Sequence, residues 1–161
     1  MRQEETLPVE EGKKFPAFSL PDENGEPRSL ADLSGDRGLV LYVYPKDDTP
    51  GCTVEAKDFR DLANDFHIAG FAIAGLSKDG SASHCRFRDK YDLSFPLLTD
   101  SDGEFLAEIG GYGEKKLYGK TVEGIIRSTY VIDRDGDTLK VFRNVRAKGH
   151  AARVLKEVRD M

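Results

Sequence analysis

The apolar positions of this chain follow two different periods, and the change from one to the other locates its main elements. Leu39 to Tyr44 is an unbroken apolar run, rich in β-forming residues and too short for a free-standing helix. It predicts a buried strand that stops at Pro45. From Thr53 the spacing becomes helical: Val54, Ala56, Phe59, Leu62, Ala63 and Phe66 recur on one face, with Lys57, Asp58, Arg60, Asp61 and Asn64 between them. That helix ends near Gly70, and Phe71 to Leu76 is a second short apolar strand. The stretch SASHCRFRDKY then predicts a second helix, capped by Ser81 or Ser83 and reaching about Tyr91. Strand, helix, strand, helix implies a parallel pair with right-handed crossovers.

The flanking segments complete the sheet. Residues up to about Lys14 read as a mobile or edge segment, and FPAFSLPDENGEPRSL as a hairpin turning at Asn24-Gly25. Ala31 to Gly38 reads as a polar connection. Phe95 to Leu98 predicts a third short strand, and Glu104 to Ile109 a brief helix. Gly110 to Gly124, aperiodic in Gly, Lys, Tyr and Glu, reads as a long surface loop. IIRSTYVID and DTLKVFRNV form a second hairpin through Asp135-Gly136. Ala152, Val154, Leu155 and Val158 give an amphipathic closing helix over Gly149 to Met161. The expectation is an α/β fold, a mixed sheet with helices on both faces, as one domain over residues 1–161.

Charge narrows the partners. A formal net charge of -5 and the absence of basic runs argue against nucleic acid and anionic membranes. No apolar stretch approaches a bilayer span. The start, MRQEETLPVEEGKK, is acidic and has no apolar core of a secretory signal, so the expected compartment is the cytoplasm. Two cysteines cannot build a disulfide scaffold; in a reducing compartment each is buried, metal-bound or reactive.

Cys52 sits where a strand's loop becomes a helix. A thiol in a first helical turn faces unpaired N–H groups and the positive end of the helix dipole, which favour thiolate. The surrounding YPKDDTPGCTVEA has the form P-x-x-x-T-x-x-C with Glu three residues beyond, and it resembles the active-site signature of peroxiredoxins. SASHCRFRDKYDLSFPLLTD and YGKTVEGIIRSTYVIDRDG are similar to the matching blocks of the bacterioferritin comigratory, or Q-type, group. The likeness runs from about Phe15 to Gly149.

That resemblance implies a thioredoxin-like fold with an extra N-terminal hairpin. It also implies an enzyme reducing hydrogen peroxide and organic hydroperoxides with thiols from thioredoxin or a similar donor. No cofactor or metal is expected, and the resemblance favours a monomer. Cys52 becomes the attacking sulfur, Arg127 of the R-S-T-Y match its cation, and Thr49 a hydroxyl that donates to the peroxide. An N-cap is the competing role for Thr49. Pro45 shields the thiolate and fixes the loop's entry. Glu55 is either a partner that orients Arg127 or an ordinary first-turn acid.

In many Q-type enzymes a second cysteine lies five residues past the first, where this chain has Lys57. Cys85, 33 residues after Cys52, is the remaining candidate for resolving a Cys52 sulfenic acid. Other members carry such a cysteine in this helix, commonly about one turn later, and Arg88 at i+3 could stabilise a Cys85 thiolate. The alternative is half-buried packing for Cys85 and an external resolving thiol.

Asp47 and Asp48 oppose a thiolate at Cys52, so both carboxylates are expected to point into solvent. His67, His84 and His150 lack metal-ligand spacing and are expected at the surface. Gly110, Gly111 and Gly113 lack the ending of a phosphate loop. Phe71, Phe87, Phe95, Phe105 and Phe142 are expected in the core. A dithiol oxidoreductase is excluded by the absence of C-x-x-C, which leaves a non-catalytic thioredoxin-like binding module as the rival to the peroxidase.

Overall fold

A computed structural model describes residues 9–161 and places strand β3, Gly38–Val43, at the centre of the fold. All of its residues are buried, because both of its faces are covered. Val40 and Tyr42, with Tyr44 just beyond, enter one hydrophobic layer, and Leu39, Leu41 and Val43 enter the other. This is the period of two expected of a strand. A one-residue slip would exchange the two sets, so the register is firmly fixed.

β3 pairs in parallel with β4 (Phe71–Ser77), which pairs in parallel with β5 (Leu97–Thr99). On its other side β3 pairs antiparallel with β8 (Ser128–Asp133), which pairs with β9 (Thr138–Phe142). The sheet order is β5-β4-β3-β8-β9. The mixed sheet inferred from the sequence is therefore present, with the parallel pair where the strand and helix alternation put it.

One face carries α2 (Pro50–Ile68), α3 (Ser81–Tyr91) and α5 (His150–Arg159). Ala56, Phe59 and Phe66 of α2, Phe87 of α3 and Val154 and Val158 of α5 close over Val40, Tyr42 and Val131. Phe59 stacks on Tyr42 with ring centroids 4.6 Å apart. The other face carries α1 (Leu30–Leu33) and α4 (Glu104–Glu108), with Phe15, Leu33, Phe105 and Leu106 packed on Leu39, Leu41, Tyr130 and Ile132. Burial of each large side chain contributes about 1.5–3 kcal/mol. The two layers together hold β3, and hence the loop that leaves its end.

The N-terminal hairpin is β1 (Ser19–Pro21) with β2 (Pro27–Ser29), turned where Asp22 Oδ1 accepts the Asn24 and Glu26 N–H groups. Part of the expected polar connection is instead α1, closed by a Ser29/Asp32 capping box. Residues 1–8 of the leading segment lie outside the described residues. From Val9 onward it is an edge segment, with Gly12, Lys13 and Phe15 bonded to Gly136 and Thr138.

Further expectations are corrected by the fold. Gly110 to Gly124 is a two-stranded ribbon, β6 (Tyr112–Leu117) and β7 (Lys120–Ile125), turned by Tyr118 and Gly119 at φ 54 and 78. Such a ribbon is held by backbone bonds and buries little, so no alternation of apolar residues announces it. His84 and His150 are fully buried, while His67 is exposed as expected. Of the five core phenylalanines, Phe142 is only half-buried, on the edge strand.

His150 lies edge-on to Phe59 and Phe142, with Nε2 2.7 Å from Thr129 Oγ1. Burial, helped by Arg153 and Arg127, pushes its imidazole down to about 4 from the ordinary 6.5. The unfolded chain takes up a proton at His150 near pH 6.5 and the folded chain only near 4. Stability from the neutral ring is therefore complete above pH 6.5 and lost as pH falls towards 4. Denaturant titrations across this window should show wild type losing stability relative to His150→Gln, with a slope approaching about 1.4 kcal/mol per pH unit. Parallel profiles would contradict the assignment.

Candidate functional site

The site is built where β3 runs out. Tyr44 still bonds β4 through its N–H, after which Pro45, half-buried, starts the loop to α2. Pro50 opens the helix, where a missing N–H costs nothing and the fixed φ suits the turn. The first helical bond runs from Thr53 N–H to the Thr49 carbonyl at 2.8 Å, so the Gly51 and Cys52 amides lie ahead of it. Cys52 thus occupies the positive end of a 19-residue helix, with 1% of its surface exposed.

Thr49 holds the N-cap backbone position without capping through its side chain. Its hydroxyl instead donates to the Lys46 carbonyl at 2.8 Å, within the loop. The hydroxyl proton is committed, and lone pairs remain to accept. The expected direction of the Thr49 bond is therefore reversed: it can receive a hydrogen bond from a ligand rather than give one.

Arg127 enters from the connection between β7 and β8, its carbonyl bonded by the Val145 N–H. Nη2 donates to Cys52 Sγ at 3.4 Å and Nη1 to Glu55 Oε1 at 2.5 Å. Glu55, one turn beyond Cys52, is fully buried, and Arg127 is 15% exposed. Burial pushes the Glu55 carboxyl up to about 7 while Arg127 pulls it down. For Arg127 burial opposes the charge, but Glu55 and Cys52 outweigh it and hold the guanidinium above its ordinary value. One planar group thus faces a carboxylate and a sulfur together, which a point charge on a flexible stem cannot do equally well. Glu55 is thus ion-paired with Arg127 and is not an unpartnered first-turn acid.

Gly51 is part of this fit: a Cβ there would sit 3.2 Å from Arg127 Nη2.

Cys85 is elsewhere. It is half-buried on α3, and its Sγ donates to the Glu23 carbonyl at 3.1 Å, on the N-terminal hairpin. Arg88 does not serve it: Nε bonds the Phe95 carbonyl and lies 3.8 Å from Glu23. Both cysteines are free thiols. Cys52, Arg127 and Glu55 are brought together, Thr49 and Pro45 flank them in the loop, and Cys85 stands on a different contact network.

The structure also corrects the reading of the loop acids and adds residues to the site. Asp48 is exposed as expected, and hydrogen bonds from Lys90 and Tyr91 hold it below the usual carboxylate range. Asp47 is buried, with its carboxylate against Tyr44, Ser83 and His84. Ser83 is therefore spent on Asp47, and Gly80 takes the N-cap of α3. A signal for His84 was present: His84, Phe87 and Tyr91 share one stripe of α3, so the ring belongs with the apolar face.

A helix-start cysteine with a guanidinium donating to its sulfur, on a thioredoxin-like sheet, is an arrangement for attack by sulfur on an electrophile. Comparisons agree with that chemistry. The sequence matches the AhpC/TSA family over residues 11–140. A putative peroxiredoxin of Mycobacterium tuberculosis is 49% identical over 147 residues, spanning 91% of this chain and 93% of its own. Peroxiredoxin Bcp of Bacillus subtilis is 40% identical over 155 residues, spanning 96% and 98%. Among solved structures, peroxiredoxin Q of Xanthomonas campestris superposes with a TM-score of 0.81 at 38% identity, over 89% of this chain and 90% of that one.

The chain belongs to the AhpC/TSA family. Its likeness runs to the Bcp or Q-type peroxiredoxins, which are thiol-dependent peroxidases acting on peroxides with a thiol reductant.

Gly51→Ala should displace Arg127 by a few tenths of an ångström and slow the reaction of Cys52 with hydrogen peroxide by about tenfold, with little loss of stability. Stopped-flow measurement of that rate checks it; an unchanged rate would show that the close approach of Arg127 has no consequence.

Proposed function

We propose that Cys52 is the peroxidatic sulfur, that Arg127 and Thr49 hold the peroxide, and that Cys85 resolves the oxidised state within the chain. The observation that carries this reading is the Arg127 guanidinium donating to Cys52 Sγ while fixed by Glu55. The Cys52 thiolate attacks the terminal oxygen of ROOH, a sulfur–oxygen bond forms and the O–O bond breaks. Cys52 becomes a sulfenic acid, and RO⁻ takes up a proton as ROH. Arg127 stabilises charge developing on the oxygens, and Thr49 accepts from the attacked O–H. Pro45 covers the loop's entry against water.

Resolution is attack by the Cys85 thiol on the Cys52 sulfenic acid, giving a disulfide and water. A disulfide requires Cα atoms within about 7 Å. Cys52 is bound to Arg127 and Cys85 to Glu23, so both contacts must break for the sulfurs to meet. A dithiol donor, thioredoxin or similar, then reduces the disulfide by exchange. The Cys85 bond to Glu23 favours one second reading, a single-cysteine cycle resolved by an external thiol.

The substrates are hydrogen peroxide and organic hydroperoxides. A structural study of the Xanthomonas campestris bacterioferritin comigratory protein concerns its alkyl peroxide reduction activity, which supports the second class. The enzyme acts as a monomer of one domain in the cytoplasm. Two free cysteines suit a reducing compartment, and among the described residues no helix is long and apolar enough to cross a membrane.

Peroxide consumption coupled to a dithiol donor should be abolished in Cys52→Ser; equal consumption by wild type and variant would overturn the assignment. Intact mass after one equivalent of peroxide should show loss of two hydrogens in wild type. A stable gain of one oxygen would instead establish the single-cysteine cycle.

A further inference from the structure

The loop ahead of Cys52 is fastened to α3 through two adjacent aspartates. The Asp47 N–H donates to Asp79 Oδ2 at 2.8 Å. Its carboxylate accepts from Tyr44 OH at 2.5 Å and Ser83 Oγ at 2.7 Å, and faces His84 Nδ1 at 2.7 Å. His84 Nε2 lies 3.0 Å from the Leu98 carbonyl. A carbonyl only accepts, so Nε2 is the ring nitrogen placed to donate, to Leu98, while Nδ1 faces the Asp47 carboxylate. The pair is buried, with side chains 0% and 3% exposed.

Asp48 makes the second attachment. Its backbone is left-handed, φ 58, a conformation that Asp adopts more readily than most residues bearing a β-carbon. Lys90 Nζ at 2.8 Å and Tyr91 OH at 2.7 Å, both from the last turn of α3, bind its carboxylate. Among the described residues none of these side chains is hydrogen-bonded to Cys52 or Arg127, whose side-chain bonds are to each other and to Glu55, yet they set where the loop delivers the start of α2.

We propose that Asp47 with His84, and Asp48 with Lys90 and Tyr91, form a two-point clamp that positions the Cys52 loop for peroxide attack, and that these are the contacts released when the loop opens for resolution. The proposal rests on Cys52 being the peroxidatic sulfur. Attack needs the sulfur beside Arg127, which the closed clamp provides. Capture needs the opposite, because Cys52 is 1% exposed in that state and a thiol is bulkier than a peroxide. The helix that closes the clamp is also the one that bears Cys85. Releasing the loop and freeing that helix are thus one event.

The two demands give the clamp a signature that a merely structural contact lacks. In a Cys85→Ser background, Cys52 sulfenic acid has no cysteine partner in the chain and can be trapped by a cyclic 1,3-dione. A carbon–sulfur bond forms, the sulfur–oxygen bond breaks and water leaves. Adding Lys90→Met and Tyr91→Phe removes both donors to Asp48 at an exposed position. This variant should react with hydrogen peroxide about threefold more slowly and be trapped by the dione about threefold faster. His84→Asn should move both rates the same way by about tenfold. If His84→Asn does not fold, the exposed double substitution still decides. Both rates unchanged, or both falling together in folded variants, would overturn the clamp. Absence of any peroxide-dependent dione adduct at Cys52 in the Cys85→Ser protein would instead overturn the peroxidatic assignment beneath it.

Discussion

A largely buried guanidinium held between a carboxylate and a sulfur is the contact on which the site depends. Arg127 cannot be taken out of water alone, since an unpaired buried charge costs several kcal/mol. Glu55 supplies the counter-charge from the same helix turn that presents Cys52, so one short segment, Cys52 to Glu55, carries both groups that Arg127 binds. The fork geometry makes those bonds simultaneous, and burial makes each stronger than it would be in water. Charge balance at the site is therefore local, in a chain whose net charge is -5 and whose general field opposes a thiolate.

The rest of the fold keeps that contact in place. β3 is locked by packing on both faces, and its antiparallel pairing with β8 brings Val43 opposite Ser128, the residue after Arg127. Residues 75 apart in sequence are thereby delivered to one end of the sheet. Phe59 stacked on Tyr42 fixes the inner face of α2, two turns beyond Cys52, so the helix cannot rotate its sulfur away without breaking the core. The parts free to move are the loop and the first turn. The clamp from Asp47 and Asp48 to α3 governs those parts.

The central strands and helices were legible in the sequence because burial there is strongly periodic. Leu39 to Tyr44 and the Val54 to Phe66 stripe leave few alternatives. Cys52 could be singled out by its place at a strand-to-helix junction. Arg127 could be matched to it only through resemblance, since no local pattern links positions so far apart. What escaped were polar groups buried by tertiary contact. Asp47 reads as a loop acid, and only the arrival of His84 and Ser83 from α3 gives it a reason to be inside. The β6-β7 ribbon was missed for the complementary reason, being ordered by backbone pairing with almost no core of its own. The Thr49 hydroxyl bond to Lys46 depends on the loop's exact path, which composition does not encode.

The role proposed for Arg127 works through its fork, bound to Glu55 and Cys52 at once, and not through charge alone. Arg127→Lys preserves the charge while removing the second planar donor. Single-turnover oxidation of reduced Arg127→Lys by hydrogen peroxide, in protein shown to be folded, measures this directly. A rate lower by about two orders of magnitude is the predicted result. A rate equal to that of wild type would contradict it.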